Sequence, residues 1–295
     1  MMDMRAALDA HLKSGATTVC RAWAVNRADG VTLGFTDHDC DLVIEGVTYR
    51  AGTGLTARSL MQSTGLSVDN SEALGALSSD AVREADIEAG RYDGAEVTSW
   101  LVNWAQPEQR LLQFRGTLGE IRRAGGAFEA ELRGLTEELN QPLGRVYQKP
   151  CSAVLGDTNC RFDLSTVGYA TDIACETVAE GQRFTWAALE GFGPDWFTGG
   201  RLLVLSGAAS GLWAPIRSDE EVAGQRRLTL WQPIRAAIFP GDLVRLTAGC
   251  DKRMSTCRLK FDNLANYQGF PDIPGEDWLV AVPKRAGHNT GGSRR

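Results

Sequence analysis

The spacing of apolar residues changes several times along the chain. Over residues 3–13 (DMRAALDAHLK), Met4, Ala7, Leu8 and Leu12 recur at helical spacing, which predicts a short amphipathic helix. Residues 17–25 (TTVCRAWAV) and 31–36 (VTLGFT) are rich in β-branched and aromatic residues and predict strands. In residues 41–49 (DLVIEGVTY), two apolar runs flank Glu45-Gly46, the mark of a hairpin. Residues 79–89 (SDAVREADIEA) predict a helix, with Ser79 as N-cap and Gly90 just past its end. Strand texture returns at 95–104, 110–115 and 117–133, the last folding back at Gly125-Gly126. A helical turn follows over 135–139 and is stopped by Pro142.

The pattern fades over residues 140–150, which predicts a domain boundary there: an N-terminal β-rich domain over 1–145 and a C-terminal domain over 146–286. Within the second, short runs near 168–174, 201–206, 212–217, 226–231 and 242–247 alternate with Gly and Pro. They predict a small barrel or sandwich inserted over about 161–249. Residues 287–295 (GHNTGGSRR) read as a disordered tail. The fold class expected is mainly β with short helices.

A chain of 295 residues is long enough for about two domains. A net charge of −6 argues against duplex DNA as a partner, which needs a basic surface. No apolar run approaches the roughly 20 residues of a membrane span. The first residues, Met1 to Lys13, lack the apolar core of a signal peptide, so synthesis in the cytosol is expected. Seven cysteines in that compartment remain reduced, and metal ligation becomes the question. With only His11, His38 and His288 present, general-base chemistry has few candidates.

Cys151 and Cys160 are separated by eight residues, Cys250 and Cys257 by six, and Cys250 lies ninety positions after Cys160. Four thiolates are the ligand set of an iron–sulfur cluster or a structural zinc ion. Spacing wider than a zinc knuckle suits the larger object. Lys149, Arg161, Lys252, Arg253, Arg258 and Lys260 lie close by in sequence and would offset an anionic cluster. Tyr147, Phe162, Phe261 and Phe270 could cover it. Four buried, unliganded cysteines would give the same spacing, and spacing alone leaves both readings open. Cys20, Cys40 and Cys175 fall in strand-like segments and read as core.

Three stretches carry a resemblance: GFTDHDCDLVIEGVTY (34–49), LGRVYQKPCSAVLGDTNC (143–160) and CDKRMSTCRLKFDNLANYQGFPDIP (250–274). They resemble the tail hub proteins of siphophage-like particles and gene transfer agents. The two cysteine spacings are similar to those of the tail-tip proteins of lambda-like phages, in which four such cysteines carry a [4Fe-4S] cluster. The resemblance runs from the N-terminal helix to about residue 280. It implies that Cys151, Cys160, Cys250 and Cys257 are cluster ligands and that the protein is a structural, non-enzymatic baseplate hub at a tail tip. It also implies a homotrimer of β-barrel-like tube domains, joining a distal tail protein to a receptor-contacting fibre protein, with DNA passing through the lumen. Cys40 stands where the family pattern has Arg, so it is not expected to be a ligand.

Three rival readings carry chemistry. Cys40 lies two residues after His38, a pair that would suit a tail-associated thiol peptidase, but nucleophile and base usually come from different elements and nothing here orients the base. Asp37, Asp39 and Asp41 alternate like the start of a calcium loop, without its later glycine and glutamate. The cluster could instead serve an iron–sulfur redox enzyme, although no dinucleotide or phosphate-loop motif accompanies it.

Overall fold

A computed structural model of the protein describes residues 4–52, 70–71, 82–124, 127–134, 144 and 146–273. The chain divides into two compact units, Met1–Pro142 and Leu143–Arg295. The expected cap at Ser79, the turn at Gly125-Gly126, the helical turn over 135–139 and the tail over 287–295 lie outside the described residues.

Among the described residues, the first unit carries one eight-stranded sheet. Helix α1 (Met4–Lys13) is followed by β1 (Val19–Asn26), β2 (Thr32–Thr36), β3 (Leu42–Ile44), β4 (Val47–Arg50) and β5 (Asn70–Ser71). Then come helix α2 (Glu84–Glu88), β6 (Glu96–Asn103), β7 (Arg110–Ala124) and β8 (Ala127–Gly134). The strand order is β3-β4-β2-β1-β6-β7-β8-β5, antiparallel except for β2 beside β4. Strand β1 is covered on both faces. Trp23 and Val25 pack with Phe35, Tyr92 and Val97, while Cys20, Ala22 and Ala24 pack with Leu42, Ile44, Tyr49 and Val102. The β3–β4 hairpin turns at Glu45 and Gly46, both at positive φ (51° and 81°), the geometry of a tight two-residue turn. Helix α2 is shorter than the pattern predicts. Its N-cap is Arg83, which makes no side-chain cap bond. It is tied to the sheet by ions instead: Arg27, with its guanidinium 5.1 Å from the Tyr92 ring centre, pairs with Asp29 and, at 3.0 Å, with Asp86.

The second unit carries β9 (Ala170–Ala174), β10 (Thr177–Ala179), β11 (Arg183–Trp186), β12 (Arg201–Val204), β13 (Trp213–Val222), β14 (Gln225–Leu230) and β15 (Leu243–Thr247). Their order, β10-β11-β14-β13-β12-β15-β9, puts two successive segments of the chain at opposite edges of the sheet. The sheet therefore curls into a half barrel. Strand β13 makes the bend, pairing with β12 through Trp213–Pro215 and with β14 from Ile216 onward across a bulge. Strict alternation in β11, β12 and β14 sends Phe184, Trp186, Leu202, Val204, Leu228 and Leu230 into one core. Strands β10 and β11 were not foreseen from the sequence.

Within that core the Asp219 carboxylate, fully buried, accepts from Arg226 at two nitrogens and from the Phe197 N–H at 2.9 Å. Arg226 donates in turn to the Phe192 carbonyl at 3.0 Å. The pair fixes the long connection from β11 to β12 on the sheet, and removing one partner of such a pair costs about 3–5 kcal/mol. Beyond the sheet lie helix α3 (Met254–Leu259) and a 3₁₀ turn at Leu264–Asn266. No helix among the described residues is long and apolar enough to cross a membrane.

Candidate metal centre

Cys151 and Cys160 sit in the loop before the half barrel, Cys250 just after β15, and Cys257 in α3. The backbone stitches these segments to one another. The Cys151 N–H donates to the Lys252 carbonyl at 2.8 Å, and the Phe270 N–H to the Gln148 carbonyl at 2.9 Å. Tyr267 Oη donates to the Lys149 carbonyl at 2.8 Å. The first loop is shaped by Asp157. Its carboxylate accepts from the N–H groups of Val154 (2.9 Å), Asn159 (2.9 Å) and Cys160 (2.6 Å), an Asx-type turn. These amides, Cys160's first among them, hold the Asp157 carboxyl below the usual range.

The position of Cys250 depends on glycine. A Cβ on Gly249 would lie 1.8 Å from the Thr198 carbonyl oxygen, and one on Gly200 would lie 2.1 Å from the Thr247 carbonyl oxygen. Only bare backbone allows the end of β15 to pass this close to the 198–200 turn.

All four cysteines line one pocket, together with Ala153, Leu155, Lys252, Arg253, Phe261 and Tyr267. Cys160 and Cys257 are buried, and Cys151 and Cys250 are half-buried. Polar hydrogens face the sulfurs. The Gln268 N–H reaches Cys151 Sγ at 3.4 Å, and Asn263 Nδ2 reaches Cys160 Sγ at 3.5 Å. Cys257 Sγ lies 3.3 Å from the Asn263 carbonyl, the acceptor for its S–H. Burial, and then the charge of Cys250, Cys151 and Cys160, push the Cys257 thiol up to about 11. Burial also raises Cys250, opposed by the Lys252 N–H and charge. A cationic group bound among the sulfurs would supply the charge that makes thiolates stable there.

The donor set fits a thiolate-ligated metal group: four convergent thiols, N–H donors directed at sulfur, and a lysine and an arginine in the wall. Among the described residues, no three His, Cys, Asp or Glu side chains gather tightly enough to hold a single ion. The enclosed space is about 10 Å³, room for about one water. A group larger than one ion must spread the two cysteine loops.

The apolar cover differs in part from expectation. Phe162 meets Phe261 edge-on at 5.0 Å, and Phe261 lines the pocket. Tyr147 and Phe270 pair at 4.8 Å, but Tyr147 is largely exposed and no seal. Tyr267, Asn263 and Asp157 are components that sequence reasoning missed.

The remaining cysteines stay apart from the pocket. Cys20 and Cys175 are buried in the two sheets, as expected of core thiols. Cys40 is exposed, which corrects its reading as core: residues 37–40 form a bend and not a strand. There His38 Nδ1 accepts from the Cys40 backbone N–H at 3.0 Å, so the ring serves the loop and not the thiol. Asp37 and Asp41 also bond backbone, accepting from the N–H groups of Arg21 (2.6 Å) and Ala51 (2.8 Å).

Comparison with known proteins now gives the class: a tail-assembly protein of phage type. The profile of the family described as "Baseplate hub protein, N-terminal attachment domain" matches residues 5–163. A second family, described as a phage conserved hypothetical protein, matches residues 195–277. A chain in the solved structure "Virion of native gene transfer agent (GTA) particle" is 55% identical, with 97% of this chain and 98% of that chain covered and a TM-score of 0.88. Among curated proteins none matches. The chain belongs to the baseplate hub protein family.

Proposed function

We propose that this chain is a structural hub at the tail tip of a gene transfer agent or siphophage-like particle, with a structural iron–sulfur cluster, [4Fe-4S], on Cys151, Cys160, Cys250 and Cys257. One observation carries the reading. In a chain 55% identical to a component of a gene transfer agent virion, four cysteines from segments ninety residues apart line a single pocket.

When bound, the cluster supplies four metal–sulfur bonds that tie the two ends of the half-barrel insert, residues 161–249, to each other. The chain's own residues prepare that closure. Asp157 shapes the first loop, and Gly249 lets Cys250 approach. Asn263 and Gln268 direct N–H groups at sulfur, and Lys252 adds positive charge. Closing so long a loop removes conformational freedom from the unfolded chain.

The hub is a homotrimer of barrel-like units between a distal tail protein and a fibre protein, made in the bacterial cytoplasm and incorporated into the particle. Large apolar side chains near the cysteine loops support contact with such neighbours: Leu259 is 82% exposed and Val154 66%. A net charge of −6 suits a lumen through which DNA passes without being held. The role is structural. The thiol-peptidase alternative lacks a base directed at Cys40, since His38 is spent on the backbone. The redox-enzyme alternative would show substrate-linked change in cluster oxidation.

Reconstruction of the particle tip tests the hub assignment. Three copies of the chain in a closed ring are expected. Six copies, or a tip without the chain, would refute it.

A further inference from the structure

Lys260 stands out among the cations of the second unit. It lies three residues after Cys257 and is half-buried. Its ammonium donates to the Trp196 carbonyl at 2.6 Å and the Gly249 carbonyl at 2.9 Å. It rests 4.4 Å from the Trp196 ring centre and 5.4 Å from that of Phe261, which itself lines the cysteine pocket. Its own carbonyl accepts from Tyr169 Oη at 2.6 Å. Tyr169 precedes the first strand of the half-barrel insert, Trp196 lies within the insert and Gly249 ends it. Residue 260 thus ties both ends of the insert, its backbone carbonyl holding Tyr169 and its ammonium holding Gly249.

Hydrogen bonds and rings satisfy the ammonium's geometry but not its charge. No carboxylate among the described residues forms an ion pair with it. Arg253, by contrast, faces Asp251 at 3.7 Å and is largely exposed. Lys252 donates to the Ala153 carbonyl within the pocket already described. A half-buried cation without a paired anion is costly unless negative charge lies nearby. Burial pulls Lys260 below the ordinary lysine value, and Cys250 is the largest of the charges that oppose the shift, ahead of Asp251, Asp219 and Asp195. A tetrathiolate site is such an anion.

We infer that Lys260 is the internal countercharge of the cysteine site, a positioning residue that couples the bound group to the half barrel. The inference rests on the cluster reading above. Its consequence is electrostatic. Removing the positive charge makes an added electron less welcome, so the cluster potential shifts negative and the anionic group is held less tightly.

Full-length wild type, K260R, K260M and K260Q, purified anaerobically, allow the test. The readouts are the cluster reduction potential and the rate of iron release to a chelator. K260R should match wild type. K260M and K260Q should show a more negative potential and release iron at least about tenfold faster, the lower end of what supporting residues contribute to metal affinity. K260Q keeps a donor for the two carbonyls, so it separates charge from packing should K260M fold poorly. Y169F loosens the clasp without removing charge and should leave the potential where it was. Neutral variants with the wild-type potential, or a Y169F shift as large as theirs, would overturn the inference and leave Lys260 a packing clasp. Wild type without iron and sulfide would overturn the cluster reading itself, and this inference with it.

Discussion

The Asn263 side-chain amide donates to the Cys160 carbonyl at 2.6 Å and lies 3.5 Å from the Cys160 sulfur. Its backbone closes the same circuit, its N–H donating to the Cys257 carbonyl at 3.0 Å while its carbonyl faces the Cys257 sulfur. One residue thus joins a cysteine of the first pair to a cysteine of the second.

Asn263→Asp tests that junction. The replacement keeps the shape but turns a donor into an anion facing a carbonyl and a sulfur. We expect unit two to lose about 1–3 kcal/mol, the cost of a buried group left unpaired, seen as a lower urea midpoint. An unchanged midpoint would show that the junction contributes nothing.

Gly249→Ala tests how Cys250 is placed. The new methyl would sit 1.8 Å from the Thr198 oxygen, and backbone must move to admit it. Overpacking of this kind costs about 1–3 kcal/mol, and here the displaced segment carries Cys250. Lower melting temperature and lower metal content should appear together. Gly193→Ala, where the added methyl meets nothing within 4 Å, is the control and should leave both unchanged.

Alkaline stability reports the core thiol of the half barrel. Burial, and then the charge of Asp242, push Cys175 from an ordinary 9.0 up to about 11. A raised folded-state value means that the unfolded chain ionises first. The stability from keeping Cys175 neutral is therefore complete below pH 9 and is lost progressively as pH rises through about 11. Cys175→Ala should flatten that part of the denaturation profile relative to wild type. If both proteins lose stability equally between pH 9 and 11, the shift is not there.

The sequence revealed the strands best where period and turn agreed. Glu45-Gly46 between two apolar runs predicted the β3–β4 hairpin correctly. Glu180 and Gly181, also both at positive φ (55° and 61°), lie in the three-residue loop that joins β10 and β11. That signal was present, but the flanking runs are short and polar and it was passed over. Helix α3, at six residues, is too short for periodicity to show. Helix α2 was overextended because α-formers surround a segment whose position is set by the Arg27–Asp86 pair, which sequence spacing does not display.

For the site, spacing alone left the four cysteines open between ligands and buried thiols, and the family resemblance singled them out; the structure places all four on one pocket. Their supporting atoms were not legible. Asn263 meets Cys160 across 103 residues and Gln268 meets Cys151 across 117, distances over which local pattern carries nothing. Cys40 misled for the opposite reason: it falls between two strand-like runs, 31–36 and 41–49, while Asp37 and His38 bond the backbone and hold a bend.

The central claim is that Cys151, Cys160, Cys250 and Cys257 together hold one iron–sulfur cluster that fastens the second unit. The most direct measurement is iron and acid-labile sulfide content, with the visible absorption spectrum, of the full chain purified anaerobically, alongside Cys→Ser at each of the seven cysteines. The account predicts a coloured protein with about four irons and four sulfides per chain, the complement of a [4Fe-4S] cluster. Colour should be lost, and the second unit become protease-sensitive, in each of the four ligand variants, while Cys20→Ser, Cys40→Ser and Cys175→Ser keep their colour. Ligand variants that retain iron, sulfide and colour would contradict it, as would a colourless wild type whose metal is zinc.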